Sequence, residues 1–227
     1  MMKEMEGNSS GLKFWLLWAL VTLAAWVAGQ YLFSLRNIFL KSATSIPSMV
    51  LLLFLNGLVL GSIVGAFQWL ILRRWKKDSS GWLLSTIIGH TVGLPVSFAI
   101  LVGWDWLIAQ WAGVPLFVDQ TRAFLLMPLA PMMILAGAVV ALAQWFTLRH
   151  LFPRSKPREA ALWVAGTALG WGASFWAAAY IFTAGLSLTV QNAVAGGVVG
   201  VVTGAILVLL LSQPPAQLEV REVHNLP

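Results

Sequence analysis

Six apolar segments occupy most of this chain, and they restrict its fold more than any other feature. The hydrocarbon core of a bilayer is ~30 Å thick, and a helix that crosses it needs about 20 consecutive apolar residues. Only 10% of the residues are charged and 59% are hydrophobic, whereas about a quarter of the residues in a soluble domain are charged. We therefore expect an all-α integral membrane protein with six transmembrane helices.

The apolar segments leave little room for a soluble domain. We predict tails at residues 1–13 and 212–227 and a transmembrane domain between them, at residues 14–211. The domain divides into three helical hairpins, which cover residues 14–72, 82–148 and 160–211.

The distribution of basic residues predicts the orientation in the membrane. Of the 14 Lys and Arg residues, only Arg36, Lys41 and Arg122 fall in predicted outer loops, and the other 11 fall in inner segments. Positive charge concentrates on the cytoplasmic side, so we predict cytoplasmic termini and a location in the bacterial inner membrane. Attraction to anionic lipid headgroups accounts for the net charge of +6, and we expect no nucleic-acid partner.

A repeated pattern organises the helices. Gly/Ala residues four apart, then Gln-Trp-x2-Leu-Arg, occur in residues 61–73 and again in residues 137–149. Residues 196–208 keep the small residues but lack the Gln and the Trp. These three copies make helices 2, 4 and 6 one type, and the Trp-rich helices 1, 3 and 5 the other. Tandem units of the same orientation predict a pseudo-threefold axis along the membrane normal.

Small residues spaced four apart indicate close helix packing, because lipid provides no hydrophobic drive between helices. The candidate packing residues are Gly61, Gly65, Gly137, Ala141, Gly196 and Gly200. We expect helices 2, 4 and 6 to pack on one another at the centre through these faces. The alternative is that each face packs on the other helix of its own hairpin.

Gln68, Gln144 and Thr203 occupy equivalent positions and would form a polar ring. Such a ring could be a constriction or solute site, or it could hold the bundle together through interhelical hydrogen bonds, each worth ~1 kcal/mol or less. We favour the second interpretation, because the third copy has lost its Gln.

His90 lies within helix 3, next to a glycine. A membrane histidine can ligate a chlorophyll-type pigment, although a hydrogen bond to a neighbouring helix is the simpler role. The 13 Trp residues indicate anchoring at the membrane surfaces, or contact with partner helices or with flat ligands such as chlorins, carotenoids or quinones.

The unit Gly-x3-Gly/Ala-x2-Gln-Trp-x2-Leu-Arg, followed by a helix that starts with Trp, resembles repeats in polytopic membrane proteins of cyanobacteria and green filamentous phototrophs. That family has no assigned activity, so the resemblance implies a phototrophic host and no functional residues.

No charged residue lies near the centre of a predicted helix, and the chain has no cysteine and no catalytic motif. We therefore expect a non-enzymatic scaffold or accessory subunit of a larger membrane assembly, such as a photosynthetic or electron-transfer complex. Its partners would be lipids and other membrane subunits. One alternative is a transporter or channel with a path along helices 2, 4 and 6, and another is an antenna subunit that binds pigment through His90.

Overall fold

The computed structural model describes residues 8–34, 46–76, 79–112, 122–151 and 157–212. These residues form six α-helices and contain no β-strand, which confirms the predicted all-α class. The helices are α1 (Asn8–Ser34), α2 (Ile46–Trp75), α3 (Ser80–Ala112), α4 (Arg122–Leu151), α5 (Pro157–Thr183) and α6 (Leu188–Leu211).

Five of these helices contain a segment that is long and apolar enough to cross a membrane. The segments are Gly11–Gly29, Pro47–Trp75, Ser80–Ile100, Ala130–Leu151 and Leu188–Leu211. Helix α5 is not among them, because its Trp, Gly, Ser and Thr residues lower its mean hydropathy. Helix α1 starts within the predicted N-terminal tail, whereas the predicted C-terminal tail lies, apart from Ser212, outside the described residues.

The helices form a closed ring in chain order. Each helix packs on its neighbours in the sequence, and α6 packs on α1 to complete the ring. Neighbouring helices run antiparallel: on α2, Gly57 faces His90 of α3, and Gly65, two turns later, faces Leu83, two turns earlier on α3. Because the helices alternate around the ring, α2, α4 and α6 are separated from one another by α1, α3 and α5.

The expected partners of the small-residue faces were therefore wrong. Gly61 and Gly65 face α3, where a Cβ atom built on Gly61 would lie 2.8 Å from the Cβ of His90. Gly137 faces Trp171 of α5. Each glycine thus faces the helix that follows its own hairpin, rather than another small-residue helix or its hairpin mate.

The same arrangement closes the ring between the two ends of the chain. A Cβ atom built on Gly196 would lie 2.6 Å from the Cβ of Trp26, and one on Gly200 would lie 2.9 Å from the Cα of Ala19, both on α1. Ala141 of α4 is fully buried in the core. The physical reason is that Trp side chains fill the middle of the ring, so the close backbone approaches occur between adjacent helices around it.

Candidate functional site: the polar core of the helix ring

Three fully buried tryptophans lie at the centre of the ring, one from each of α1, α3 and α5. The ring centroid of Trp82 lies 5.6 Å from that of Trp18 and 5.8 Å from that of Trp163, and both pairs meet edge to face. Edge-to-face contact is a favoured geometry for aromatic pairs. These side chains fill the space that a pore would require.

Each of these tryptophans precedes a buried threonine by one helical turn. The threonines are Thr22, Thr86 and Thr167. The pattern Trp-x3-Thr on every odd-numbered helix is visible in the sequence, and it would have aligned α1 with α3 and α5. None of the three threonines is among the candidate site residues predicted above.

Gln68 of α2 bonds to both flanking helices. Its Nε2 donates to Thr22 Oγ1 of α1 at 3.1 Å, and its Oε1 accepts from Trp82 Nε1 of α3 at 3.2 Å. The side chain is only 4% exposed, so these bonds replace contacts with water. One glutamine therefore links three helices.

Gln144 and Thr203 make related but fewer bonds between helices. Gln144 Nε2 donates to Thr86 Oγ1 at 3.0 Å, which joins α4 to α3. Thr203 Oγ1 accepts from Trp18 Nε1 at 3.0 Å, which joins α6 to α1, and it donates to Val199 O at 2.7 Å. The structure thus brings all three predicted ring residues into one buried layer, where they form interhelical hydrogen bonds.

A small cavity of about 10 Å³ lies within this layer. Its walls include the predicted residues Gln68, Gln144, Thr203 and His90, together with the buried tryptophans. A cavity of this size holds about one water molecule. It has no room for a pigment macrocycle, and it is too small to serve as a solute path.

His90 is held in a defined orientation beside the cavity. Its Nδ1 lies 2.9 Å from the carbonyl oxygen of Thr86. A carbonyl can only accept, so Nδ1 carries the proton and donates, and Nε2 of the neutral ring is an acceptor. The imidazole packs against Trp171 with their centroids 5.3 Å apart, which leaves no space for a chlorin above Nε2.

The core contains few groups that could carry out chemistry. Within the described part of the chain, the buried polar side chains are Gln, Ser, Thr, Asn and His90, and none is an acid, a lysine or an arginine. No group of three metal-ligating side chains occurs in that part either. Among these residues, Gln68, Gln144 and Thr203 take part in hydrogen bonds between helices.

The two ends of the ring carry different surfaces. The C-terminal ends of α1, α3 and α5 expose large aromatics: Tyr31, Trp106, Trp111 and Tyr180. We call this the aromatic end. At the opposite, basic end, the guanidinium of Arg73 lies 4.9 Å from the centroid of Trp69, and that of Arg149 lies 5.2 Å from that of Phe146. Aromatic belts and basic clusters are typical of the boundaries of a membrane protein.

Comparison of this chain with protein-family models, with curated protein sequences and with solved structures finds no match.

Proposed function

We propose that this chain is a non-enzymatic scaffold or accessory subunit of a larger membrane protein assembly. The observation that carries the proposal is the filled core, in which buried tryptophans and interhelical hydrogen bonds leave a cavity of only about 10 Å³. A transporter needs an internal path, and a membrane enzyme needs an accessible reactive site. A protein with neither acts through its outer surface.

The proposal includes six transmembrane helices, arranged as three tandem hairpins about a pseudo-threefold axis. Helix α5 has 27 residues, and at 1.5 Å per residue it is about 40 Å long, enough to cross a bilayer. Its Trp163 and Trp171 are buried and face the core, so they do not lower the hydrophobicity of its lipid-facing side. The equivalent buried positions of Trp18, Trp82 and Trp163 on α1, α3 and α5 support the repeat.

The orientation follows from charge. We propose that the basic end, with Arg73 and Arg149, faces the cytoplasm, and that both termini lie there, in a bacterial inner membrane. Anionic lipid headgroups would contact the basic end.

Partner subunits would bind at the aromatic end. Trp111 is 88% exposed and Tyr180 is 75% exposed, so both are available to lipid headgroups or to a partner helix. Aromatic and amphipathic side chains of this kind concentrate in protein interfaces and in membrane belts. A photosynthetic or electron-transfer complex is the assembly we favour, and any chlorin, carotenoid or quinone would bind on this outer surface rather than in the core.

The test is purification from native membranes in a mild detergent, followed by mass spectrometry and an absorption spectrum of the isolated material. We expect the chain to migrate in a large complex with stoichiometric partner subunits. A colourless, monodisperse protein that elutes alone would contradict the proposal.

A matched pair of variants locates the partner surface. Trp111→Ala at the aromatic end should reduce the yield of the complex, whereas Leu142→Ala, at a half-exposed position on the side of α4, serves as the control.

A flux assay tests the channel alternative, and solute flux in liposomes that contain this protein should stay at the level of empty vesicles. A flux that Gln68→Leu with Gln144→Leu abolishes, while the fold survives, would instead establish the channel alternative.

A further inference from the structure

Five buried side-chain atoms have no hydrogen-bond partner among the described residues. Two of them, Oγ of Ser79 and Oγ1 of Thr91, belong to residues that do not line the central cavity. The other three are Nε2 of His90, Nε1 of Trp163 and Oγ1 of Thr167. All three residues line the central cavity. Leaving a buried donor or acceptor unpaired costs about 1–3 kcal/mol, and the large majority of buried polar groups in proteins are paired. Three such groups around one cavity therefore indicate a ligand.

The cavity coincides with two departures from the repeat. Two turns beyond their central tryptophans, α1 and α5 carry Trp26 and Trp171, whereas α3 carries the smaller His90. Thr203 of α6 is likewise smaller than the glutamines at the equivalent positions of α2 and α4. Both replacements border the cavity, so they provide its space and a part of its polarity.

Thr203 also explains why Thr167 lacks a partner. Thr22 and Thr86 each accept from the glutamine of the helix that follows them. Thr167 is followed by α6, where the side chain of Thr203 is shorter and its hydroxyl instead donates to Val199 O. The hydroxyl of Thr167 therefore faces the cavity with its bonding capacity unused.

We propose that the cavity binds an internal water molecule, held by His90, Trp163 and Thr167. The three groups complement water, because His90 Nε2 accepts, the Trp163 indole donates and the Thr167 hydroxyl can do either. Water supplies two donors and two acceptors, and buried waters typically make about three hydrogen bonds to otherwise unpaired groups. The volume of about 10 Å³ matches about one molecule.

Other small ligands fit these walls less well. An apolar gas would leave the three polar groups unpaired, and a metal ion or an anion would lack the charged ligands that offset its desolvation. A larger polar molecule exceeds the volume. The site therefore selects a small neutral molecule that both donates and accepts.

The experiment is NMR of detergent-solubilised protein with ¹⁵N-labelled tryptophan, in which magnetisation transfer from water to each indole proton is measured. The indole signal of Trp163 is assigned from its loss in Trp163→Phe. We expect a strong direct water cross-peak at Trp163 and weaker ones at Trp18 and Trp82, which line the same cavity but whose indole protons already bond to protein side chains. Absence of the Trp163 cross-peak would overturn the proposal.

Two variants distinguish bound water from exchange through a neighbouring hydroxyl. In Thr167→Val the hydroxyl is absent, but His90 and Trp163 remain, so the cross-peak should persist. Its loss there would mean that it was relayed through the hydroxyl of Thr167, and that no water is bound. In Thr203→Gln the longer side chain should fill the cavity and bond to Thr167, so the cross-peak should disappear. A cross-peak that is unchanged in Thr203→Gln would place the water elsewhere and refute the assigned site.

Discussion

Replacing Gln68 by leucine should measurably destabilise the bundle, although it makes a buried position more apolar. The change removes the bonds of Gln68 to Thr22 and to Trp82, at 3.1 and 3.2 Å. Leucine is similar in size, so little cavity forms. The lost stability therefore comes from hydrogen bonding. Its size depends on whether the Thr22 hydroxyl and the Trp82 indole can find other hydrogen-bond partners.

These two groups should respond differently. The hydroxyl of Thr22 can rotate and donate to a backbone carbonyl one turn earlier in α1, which recovers part of its loss. The indole of Trp82 is fully buried between two aromatic neighbours and cannot turn towards a new acceptor. Interhelical hydrogen bonds in membranes average about 0.6 kcal/mol and reach ~1.7, and an unpaired buried donor costs about 1–3 kcal/mol. We therefore expect a decrease of about 1–2 kcal/mol in the free energy of unfolding.

The assay is reversible unfolding in mixed micelles of a mild and a denaturing detergent, followed by circular dichroism. The control is Leu70→Met, two residues away on the half-exposed side of α2, which should change the free energy by less than about 0.5 kcal/mol. Gln144→Leu removes only the bond to Thr86 among the bonds described, so it should cost less than Gln68→Leu.

A double-mutant cycle tests whether the bond between Gln68 and Trp82 accounts for the lost stability. Trp82→Phe removes the indole donor, so Gln68→Leu should cost about 1 kcal/mol less in that background than in the natural protein. Independent sites add to within about 0.3–0.5 kcal/mol. If the two changes are additive within that range, loss of the indole bond does not explain the lower stability of Gln68→Leu.

Two further predictions test helix packing and ring closure. A Cβ atom at Gly57 would overlap the backbone of α3, whereas nothing lies within 4 Å of one at Gly103. Gly57→Ala should therefore lower the melting temperature, at a cost of about 1–3 kcal/mol, and Gly103→Ala should leave it unchanged or raise it; equal effects would refute the close approach. A Cβ atom at Gly11 would lie 3.4 Å from Cγ1 of Val208, and the chain has no natural cysteine. Gly11→Cys with Val208→Cys should form a disulfide under mild oxidation, as seen by a mobility shift, and Gly11→Cys with the exposed Leu209→Cys should not; crosslinking of the control pair alone would contradict the closure of α6 on α1.

The sequence predicted the helices well, because helix formation in a bilayer depends on local composition. It also identified Gly61 and Gly65 as packing positions, and the structure places both against another helix. It could not identify that helix. A glycine permits close approach from any neighbour and has no side chain that selects one, so the spacing of small residues alone is compatible with several arrangements.

The cavity was also beyond sequence reasoning. The sequence leaves two roles open for His90, a hydrogen bond to a neighbouring helix or a pigment ligand, because a lone histidine in a membrane segment is compatible with both. Its actual surroundings depend on Trp171, which is distant in the sequence but packs on its ring. Only the aligned positions of Trp26, His90 and Trp171 indicate that the histidine replaces a larger residue.

The order of helices around the ring follows from the polar residues more than from the small ones. Gln68 can reach Thr22 and Trp82 together only if α2 lies between α1 and α3. Thr203 can accept from Trp18 only if α6 returns to α1. In lipid, an alternative order of helices would leave these polar side chains without a hydrogen-bond partner and without water. The free-energy cost of each unpaired group would exceed what contacts between apolar surfaces could recover. Directional bonds of a few buried side chains can therefore select one arrangement among several that would bury the same glycines equally well.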